Sequence, residues 1–339
     1  RTDASDNTVG DHQTITPIGD TYQNNYKVTY ETGTLTITKG DPTATEFSLT
    51  GKFQKTLNSN TADVSTAGKE FELKITGATP NTNTTSLTGK VTDMTPVKVT
   101  GTEDQYNITK SFFGANDKLP FNKEGTYTYT VQEVKPAAPV AGMKYDETIY
   151  TLTIEVTESN GALSVTSAKV TKPGTTDQPE QVADLLATTH DSFTITNTFT
   201  AAELPLNPDP TTGKIVKNLR LTGGTEETKE EMKFNVTVKD ESNEEVANGE
   251  ATVPAGSVDN TTVNFTNLGT LVFPAAGEYT YTVKETTGSI RGVTYDEKTY
   301  TLKVEVTAGN NVLTVTRAGF TYTDGETEHI VSDITKNPI

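Results

Sequence analysis

Alternating apolar and polar residues run through most of the chain and predict β-strands. In the segment 150–156, "YTLTIEV", an apolar side chain occupies every second position, and the segment 300–306 repeats the pattern. Successive side chains of a strand point to opposite faces of a sheet, so these segments indicate sheets with one buried face. Clusters of Gly, Asn, Asp and Pro separate them, as is typical between antiparallel strands. The pattern predicts an all-β chain built from antiparallel β-sandwiches.

One sequence module occurs twice. The segment "KYDETIYTLTIEVTESNGALSVT" at 144–166 matches "TYDEKTYTLKVEVTAGNNVLTVT" at 294–316, with an offset of 150 residues (295 − 145). Upstream, "GKFQKTL" at 51–57 corresponds to "GKIVKNL" at 213–219. We therefore expect two similar domains in tandem.

A proline-rich stretch divides the two modules. "ELPLNPDPTTG" at 203–213 contains three prolines, which favour an extended and semi-rigid connector. We predict a first sandwich at 41–202, a linker at 203–211 and a second sandwich at 212–339, with each module monomeric.

Residues 1–40 belong to neither copy of the module. Within them, "NNYKVTYETGTLTITKGD" at 24–41 predicts two strands around Gly33. So short a segment buries little surface of its own. We interpret it as the end of a preceding β-module, or as N-terminal strands that pack on the first sandwich.

Composition excludes several classes of partner and chemistry. A formal net charge of −17 repels phosphate backbones, so nucleic acid is not an expected partner. No apolar run approaches the roughly 20 residues of a membrane helix, so no membrane insertion is predicted for this segment. Cysteine is absent, which excludes disulfides and thiolate chemistry. The chain is then either a cytosolic protein without cysteine or an exported protein that is stiffened by another covalent route.

Two glutamates fall on faces that should be buried. In "GTYTYTVQEV" at 125–134, Glu133 shares the inward face with two tyrosines and Val131. The second copy, "GEYTYTVKET" at 277–286, places Glu285 in the same phase. Two charges in equivalent places of a repeat need a common explanation.

Lysines and one asparagine fall on the same kind of face. Lys55 is in phase with the apolar residues of "EFSLTGKFQKTL" at 46–57, and Lys217 is in phase with its apolar neighbours in the second copy. In "SFTITNTF" at 192–199, Asn197 is in phase with the apolar residues. Each module therefore buries a Lys and a Glu by pattern, and the first also buries an Asn.

Two explanations of the buried charges differ in their chemistry. One is a structural ion pair, or a lysine whose ammonium group reaches solvent, although desolvation makes buried pairs weakly stabilising at best. The other uses burial to lower the pKa of lysine and raise that of glutamate, which favours a neutral amine beside a neutral acid. A neutral amine is a nucleophile, and a carboxyl group can polarise an amide and transfer protons. Lysine could then attack the asparagine amide, release ammonia and join the first strand to the last.

The motifs "KTLN" (55–58), "GTYTYTVQE" (125–133), "YDETIYTLTIEVT" (145–157) and "FTITNTF" (193–199) resemble the streptococcal pilin isopeptide-linkage domain of Gram-positive surface proteins. The resemblance covers roughly 45–199 and 212–339. It implies immunoglobulin-like sandwiches, related to collagen-adhesin B-type modules, that form intramolecular isopeptide bonds without another enzyme.

Carried onto this sequence, the resemblance implies a bond from Lys55 to Asn197 with Glu133 assisting, and in the second module a bond from Lys217 with Glu285 assisting. The second acceptor is less regular than the first. Asn337 is the candidate, but an isoleucine precedes it by three residues where Ile195 precedes Asn197 by two. Asp333 is the competing acceptor.

These observations predict a stalk or shaft segment of an adhesin or pilus-like protein, attached to the cell wall of a Gram-positive bacterium and carrying distal adhesive domains. No cofactor, metal or catalytic turnover is expected, since His12, His190 and His329 are isolated and no carboxylate pair suggests a glycosidase. The alternative is a ligand-binding adhesin that recognises host glycan or matrix protein through loops at 79–105 or 239–264.

Overall fold

The chain folds almost entirely into β-strands, as the alternation predicts. The structure, a computed structural model, describes residues 10–15, 17–23, 25–37, 40–77, 86–102, 105–175, 178–207, 214–223, 226–325 and 327–333. Over these ranges there is no α-helix, and a single 3₁₀ turn occurs at Thr66–Lys69. In the same part of the chain, no helix has the length and apolar character needed to cross a membrane.

Four strands precede the first sandwich in the part of the chain that the structure describes: β1 (Gly10–Ile15), β2 (Tyr22–Gln23), β3 (Tyr26–Lys27) and β4 (Gly33–Ile37). β1 pairs with β4, and β2 pairs with β3, both antiparallel. Two strands lie in the segment around Gly33, as predicted: β3 precedes this glycine and β4 begins at it. They do not pair with each other, because strand pairing is a long-range choice that local alternation does not encode.

In its described residues the first sandwich has thirteen strands, β5 (Thr45–Ser48), β6 (Phe53–Ser59), β7 (Phe71–Gly77), β8 (Ser86–Val91), β9 (Val97–Lys98), β10 (Tyr106–Ser111), β11 (Lys118–Phe121), β12 (Gly125–Glu133), β13 (Met143–Lys144), β14 (Tyr150–Ser159), β15 (Ala162–Lys172), β16 (Glu180–Asp184) and β17 (Phe193–Phe199). One sheet has the order β16-β15-β14-β12-β7-β8, and the other has the order β13-β17-β6-β10-β9. Inward side chains of both sheets form one core.

The first and last strands of this sandwich lie side by side. β6 and β17 run parallel over their full lengths, with Ile195 opposite Lys55 and Asn197 opposite Leu57. Their burial alternates, so Lys55 and Asn197 both point into the core between the sheets. β12 belongs to the opposite sheet and ends at Glu133, whose side chain also points inward. This arrangement brings three polar side chains from distant parts of the sequence together.

The second sandwich has ten strands among the described residues, β18 (Ala202–Pro205), β19 (Val216–Asn218), β20 (Met232–Lys239), β21 (Glu245–Val253), β22 (Thr262–Asn264), β23 (Thr270–Phe273), β24 (Gly277–Thr286), β25 (Thr299–Gly309), β26 (Val312–Asp324) and β27 (Thr327–Asp333). Its large sheet has the order β21-β20-β24-β25-β26-β27, and β18-β23 and β19-β22 form two further pairs. This order matches that of the first sandwich, with β27 in the place of β16.

Part of the predicted linker is a strand of the second sandwich. β18 pairs with β23, and Leu204 and Leu206 are buried whereas Glu203 and Pro205 are exposed. The prolines suggested a connector, but the alternation of leucines with exposed residues correctly indicates a strand. Pro205 does not prevent this strand, because it lies on an edge strand, where proline is tolerated. Residues 208–213 lie outside the described ranges.

The segment 239–264, named above as a possible recognition loop, contains two strands. β21 and β22 occupy nearly half of it, and β21 pairs with β20 along its whole length. The other segment, 79–105, contains β8 and β9 in its described part. Both segments therefore contribute to the sheets more than the sequence suggested.

Contacts join the two sandwiches end to end. Gly142 N donates a hydrogen bond to Asn311 O at 2.9 Å, and Asn311 Nδ2 donates to Met143 O at 2.6 Å. Gly142 has φ +84°, and a Cβ there would lie 2.6 Å from Thr200 O, so this close approach requires glycine. On the same side, Asn60 Nδ2 donates to Glu203 Oε1 at 2.7 Å.

The variant Leu206→Ala tests whether the segment that contains β18 and Leu206 stabilises the second sandwich. Leu206 is fully buried, so Leu206→Ala should lower the free energy of unfolding of the second sandwich by about 2–5 kcal/mol. Pro205→Ala, at the exposed neighbouring position, is the matched control and should change stability little. The measurement is denaturant unfolding of both variants. Equal stability of the two would mean that the segment is a free connector.

Candidate functional site

Three polar side chains meet in the core of the first sandwich. Lys55 and Asn197 have no exposed surface, and Glu133 is 4% exposed. Each lies on an alternating strand whose other inward residues are apolar, apart from Ser59 in β6, so the strand alternation places all three in the core. The structure therefore brings together the three residues that the sequence singled out in this module.

Glu133 bridges the other two side chains. Lys55 Nζ donates a hydrogen bond to Glu133 Oε2 at 2.8 Å, and Asn197 Nδ2 donates to Glu133 Oε1 at 2.6 Å. The Lys55 amine also lies 4.6 Å from the centre of the Phe71 ring. One carboxyl group thus contacts both an amine and an amide nitrogen in a site from which water is excluded.

Burial shifts the protonation of the pair towards the neutral forms. Desolvation lowers the pKa of Lys55 to about 8, although the charge of Glu133 and its hydrogen bond act in the opposite direction. Desolvation also raises the pKa of Glu133, against the opposing effect of Lys55. Both shifts favour an uncharged amine and an uncharged acid, which is the state that nucleophilic attack by lysine requires.

Asp146 contributes a contact that the sequence analysis missed. Its backbone N–H donates to Asn197 Oδ1 at 2.9 Å, at the oxygen on which negative charge would develop during attack. The Asp146 carboxylate accepts hydrogen bonds from Thr148 N and from the Tyr150 hydroxyl, which fixes the turn. The sequence feature that could have pointed to this contact is the Tyr-Asp-Glu motif, which both modules share.

This arrangement has the parts needed for amide exchange. Lys55 supplies an amine with a lowered pKa, Asn197 supplies an amide whose oxygen accepts a hydrogen bond, and Glu133 contacts the nitrogen that would depart. A carboxyl group in that position can take a proton from the amine and give one to the leaving group.

The second sandwich has a similar pair in a more open setting. Lys217 Nζ donates to Glu285 Oε1 at 2.6 Å and lies 4.4 Å from the centre of the Phe234 ring. The Lys217 side chain is 13% exposed, whereas that of Lys55 is fully buried. Asp296 N donates to Glu285 Oε2 at 2.7 Å, so here the carboxylate accepts the N–H that an asparagine amide accepts in the first sandwich.

The two candidate acceptors of the second module differ in how much of their position the structure describes. Asn337 lies outside the described residues. Asp333 ends β27, where it pairs with Gly319 on β26. In that sheet β27 is three strands away from β24, which carries Glu285, and Lys217 belongs to a different sheet. The backbone of Asp333 thus lies in a different sheet from the strand that carries Lys217, and the choice of acceptor in the second module stays a prediction.

The histidine and acidic side chains were the remaining candidates for a metal site. Within the described ranges, no cluster of three or more His, Asp or Glu side chains could hold a metal ion. Among the histidines, the ring of His329 stacks on that of Tyr322, with centroids 4.8 Å apart.

Comparison with known families identifies the repeat. The family model of FctA, the Spy0128-like isopeptide containing domain, matches residues 51–200 and 213–330. These two matches correspond to the two sandwiches. No curated protein matches the chain.

Solved structures similar to this chain include two major pilins and one other bacterial protein. A major pilin from Streptococcus pyogenes is 14% identical, with 82% of this chain and 97% of that chain covered and a TM-score of 0.33. A second major pilin from Streptococcus pyogenes is 17% identical, with 78% and 97% covered and a TM-score of 0.30. The Bacillus anthracis TIE protein is 15% identical, with 85% and 38% covered and a TM-score of 0.25.

The pKa of Lys55 predicts how stability depends on pH once the acceptor amide is removed. Burial lowers the pKa of Lys55 from 10.5 to about 8, and we expect this shift to persist in Asn197→Ala because burial is its main cause. The unfolded chain then binds more protons than the folded chain between these values, so stability rises with pH. We expect the free energy of unfolding to increase by about 2 kcal/mol from pH 8 to pH 10.

The double variant Asn197→Ala, Lys55→Met is the control and should lose this increase. Measurements should stop near pH 10, because burial raises the pKa of Tyr129 from 10.0 to about 12 and stability therefore falls with pH above that range. If the free energy of unfolding changed with pH in the same way in both variants, the pKa of Lys55 would not be lowered in the folded chain, and the prediction would be wrong.

Proposed function

Since this chain belongs to the family of Spy0128-like isopeptide containing domains, we propose that it is a structural shaft segment of a pilus-like protein or surface adhesin. Each sandwich is stiffened by a covalent bond between side chains that the module forms by itself. The reaction occurs once per module, so the protein is not an enzyme with turnover. No cofactor takes part.

The observation that carries this proposal is the buried contact of Lys55, Glu133 and Asn197. A structural ion pair needs only the lysine and the glutamate. The asparagine amide, hydrogen-bonded through its nitrogen to Glu133 and through its oxygen to Asp146 N, has no role in such a pair. It is positioned as an acyl acceptor.

The proposed reaction balances without an outside reagent. The neutral Lys55 amine attacks Cγ of Asn197 while the Asp146 N–H stabilises the developing oxyanion. Glu133 in its neutral form gives its proton to Nδ2 through one carboxyl oxygen and takes a proton from the attacking amine through the other, so it ends neutral as it began. The Cγ–Nδ2 bond breaks, ammonia leaves, and an amide joins Nζ to Cγ.

The position of the bond explains its mechanical value. It would join β6 to β17, the first long strand to the last, and close a loop of 142 residues (197 − 55). In the chain-entropy model such a loop closure contributes about 5 kcal/mol of stability. Tension on the ends of the module would pass through the bond between two neighbouring parallel strands, so the rest of the sheet would carry little load.

The rest of the chain fits a shaft. The contacts of Gly142 and Met143 with Asn311 support an end-to-end arrangement of two sandwiches. A covalent bond that reducing agents cannot break suits an extracellular protein without cysteine. We therefore place the chain on the cell wall of a Gram-positive bacterium, where it would hold distal adhesive domains or a host-ligand site away from the surface. Lys217 and Glu285 would be the amine and the assisting carboxyl group of the second module.

The mass of the purified chain tests the chemistry directly. The folded protein should be lighter than its sequence by one ammonia for the first module, and a peptide map should contain a peptide that joins Lys55 to Asn197. Glu133→Gln should keep the fold but abolish the cross-link, because the proton carrier is lost. Glu155→Gln, at an exposed position, should retain it. A wild-type mass equal to the sequence mass would refute the proposal.

Single-molecule pulling tests the mechanical role. The wild-type first module should show almost no extension, whereas Lys55→Ala should release up to roughly 480 Å of chain from the 142-residue loop (197 − 55). Lys52→Ala is the matched control, because it removes only the surface ion pair with Asp191 and leaves the buried site intact. Complete extension of the unmodified first module at the force that unfolds Lys55→Ala would contradict the proposal.

A further inference from the structure

The Asp146 carboxylate is held by two hydrogen bonds in the first sandwich. Its Oδ1 accepts from Thr148 N at 2.9 Å, and its Oδ2 accepts from the Tyr150 hydroxyl at 2.7 Å. Hydrogen bonds to a carboxylate are stronger than those between neutral groups, so this side chain is firmly held. The backbone N–H of the same residue donates to Asn197 Oδ1 at 2.9 Å. Asp146 therefore links the Tyr150 hydroxyl to the acceptor amide of the proposed cross-link.

Tyr150 is itself anchored to both strands that supply acceptor and acid. It begins β14 and is 8% exposed. Its backbone pairs with Val131 on β12, the strand that carries Glu133. Its ring lies 4.7 Å, centre to centre, from the Phe193 ring on β17, the strand that carries Asn197. The position of the hydroxyl is thus set by the same strands that bring the reacting side chains together.

The second module repeats this linkage, although its N–H has another acceptor. Asp296 Oδ1 accepts from Lys298 N at 3.0 Å, and its Oδ2 accepts from the Tyr300 hydroxyl at 2.6 Å. There the Asp296 N–H donates to Glu285 Oε2. The aspartate side chain thus keeps the same two hydrogen bonds whether its N–H meets an amide oxygen or a carboxyl oxygen. We infer that the tyrosine and the aspartate, and not the acceptor, fix the direction of this N–H.

The tyrosine hydroxyl adds a bond beyond those that the turn requires. An aspartate side chain that accepts the N–H two residues later closes such a turn by itself. Desolvation, together with the hydrogen bond to Asp146, raises the pKa of Tyr150 to about 12, so its hydroxyl keeps its proton and donates over the neutral and mildly alkaline range. Burial also raises the pKa of Tyr145, which lies within the influence of the Glu133 charge.

The Asp146 carboxylate also acts on the reacting pair through its charge. Desolvation is the largest influence on the pKa of Lys55 and on that of Glu133, and it acts in opposite directions on the two. The charge of Asp146 is a smaller influence that raises both pKa values. A carboxylate fixed beside the pair therefore moves its titration to higher pH.

Other charged groups near Asp146 lie at the surface. Lys74, Lys135 and Glu147 line a cleft that Glu133 and Asp146 also border. Lys135 and Glu147 form an ion pair in which both side chains are exposed, and Lys74 is exposed as well. Solvent and salt screen charges in such positions. Asp146 differs from these groups because its hydrogen bonds hold it in place.

We propose that Tyr150 is a positioning residue for the cross-linking reaction. Its hydroxyl holds the Asp146 carboxylate, which keeps the Asp146 N–H directed at the Asn197 amide oxygen and keeps a negative charge beside the reacting lysine. Negative charge develops on that oxygen when the amine attacks, so a donor that is already fixed lowers the barrier more than a mobile one. This inference rests on the chemistry proposed above.

The rate of cross-linking in Tyr150→Phe tests this role. The chain is isolated in denaturant before it has folded and is then diluted into buffer, and the loss of ammonia on joining Lys55 to Asn197 is followed by mass spectrometry. Tyr150→Phe keeps the ring but lacks the hydroxyl, so cross-linking should be slower by about tenfold or more. Tyr127→Phe is the matched control and should cross-link at the wild-type rate. The hydroxyl of this buried tyrosine, near the start of β12, donates to Lys123 O and has no contact with the site.

Two substitutions at Asp146 separate the hydrogen bonds from the charge. Asp146→Ala removes the acceptor of both bonds and should slow cross-linking as much as Tyr150→Phe does. Asp146→Asn keeps an oxygen for Thr148 N and a polar group for the Tyr150 hydroxyl, so it should recover most of the rate lost in Asp146→Ala. Its optimum should move to lower pH, because the missing charge had raised the pKa of both Lys55 and Glu133. The reactive pair shares one proton, and a pair with lower pKa values gains and loses that proton at lower pH.

The outcomes distinguish this inference from the proposed function. Circular dichroism checks that each variant folds, and if Tyr150→Phe does not, the comparison of Asp146→Ala with Asp146→Asn carries the test. Cross-linking of Tyr150→Phe or Asp146→Ala at the rate of Tyr127→Phe would overturn the inference and leave the proposed function intact. An optimum of Asp146→Asn at the wild-type pH would also overturn it. A wild-type chain that folds without losing ammonia would refute both.

Discussion

The buried contact of Lys55, Glu133 and Asn197 is the constraint on which the first sandwich depends. A lysine and a glutamate without exposure to water are costly to bury, and replacing such a pair with apolar residues is often neutral or stabilising. The sandwich nevertheless aligns two sheets so that three strands deliver these side chains to one point. The contact holds β6 beside β17, with β12 on the opposite side of the core.

Comparison of the two modules shows which parts of the site depend on the last strand. Both have a lysine–glutamate contact, an aromatic ring beneath the amine and an aspartate turn anchored by a tyrosine hydroxyl. They differ at the N–H of that aspartate. In the first module the Asp146 N–H contacts the Asn197 amide on β17, and in the second module the Asp296 N–H contacts Glu285. The amine and the carboxyl group are thus held by the sheets in both modules, and β17 brings the asparagine amide to them in the first.

The junction between the modules is held by a few specific contacts. Leucines at 204 and 206 anchor the chain in the second sandwich immediately after the first one ends. The turn at Asn311 reaches back to Gly142, where only glycine permits the approach. These contacts leave little free chain between the described strands on either side, which suits a segment that transmits force along its length.

Sequence alone determined the strands, the repeat and the inward orientation of Lys55, Glu133, Asn197 and Glu285, because a strand has a period of two and a charge in phase with apolar residues is visible without coordinates. The tertiary structure decided what that period cannot encode. It placed the Asp146 N–H on the amide oxygen, made β18 a strand, and set β27 at the far edge of a different sheet from the strand that carries Lys217. Each of these is a matter of which strands pair, and pairing depends on contacts between residues far apart in the sequence.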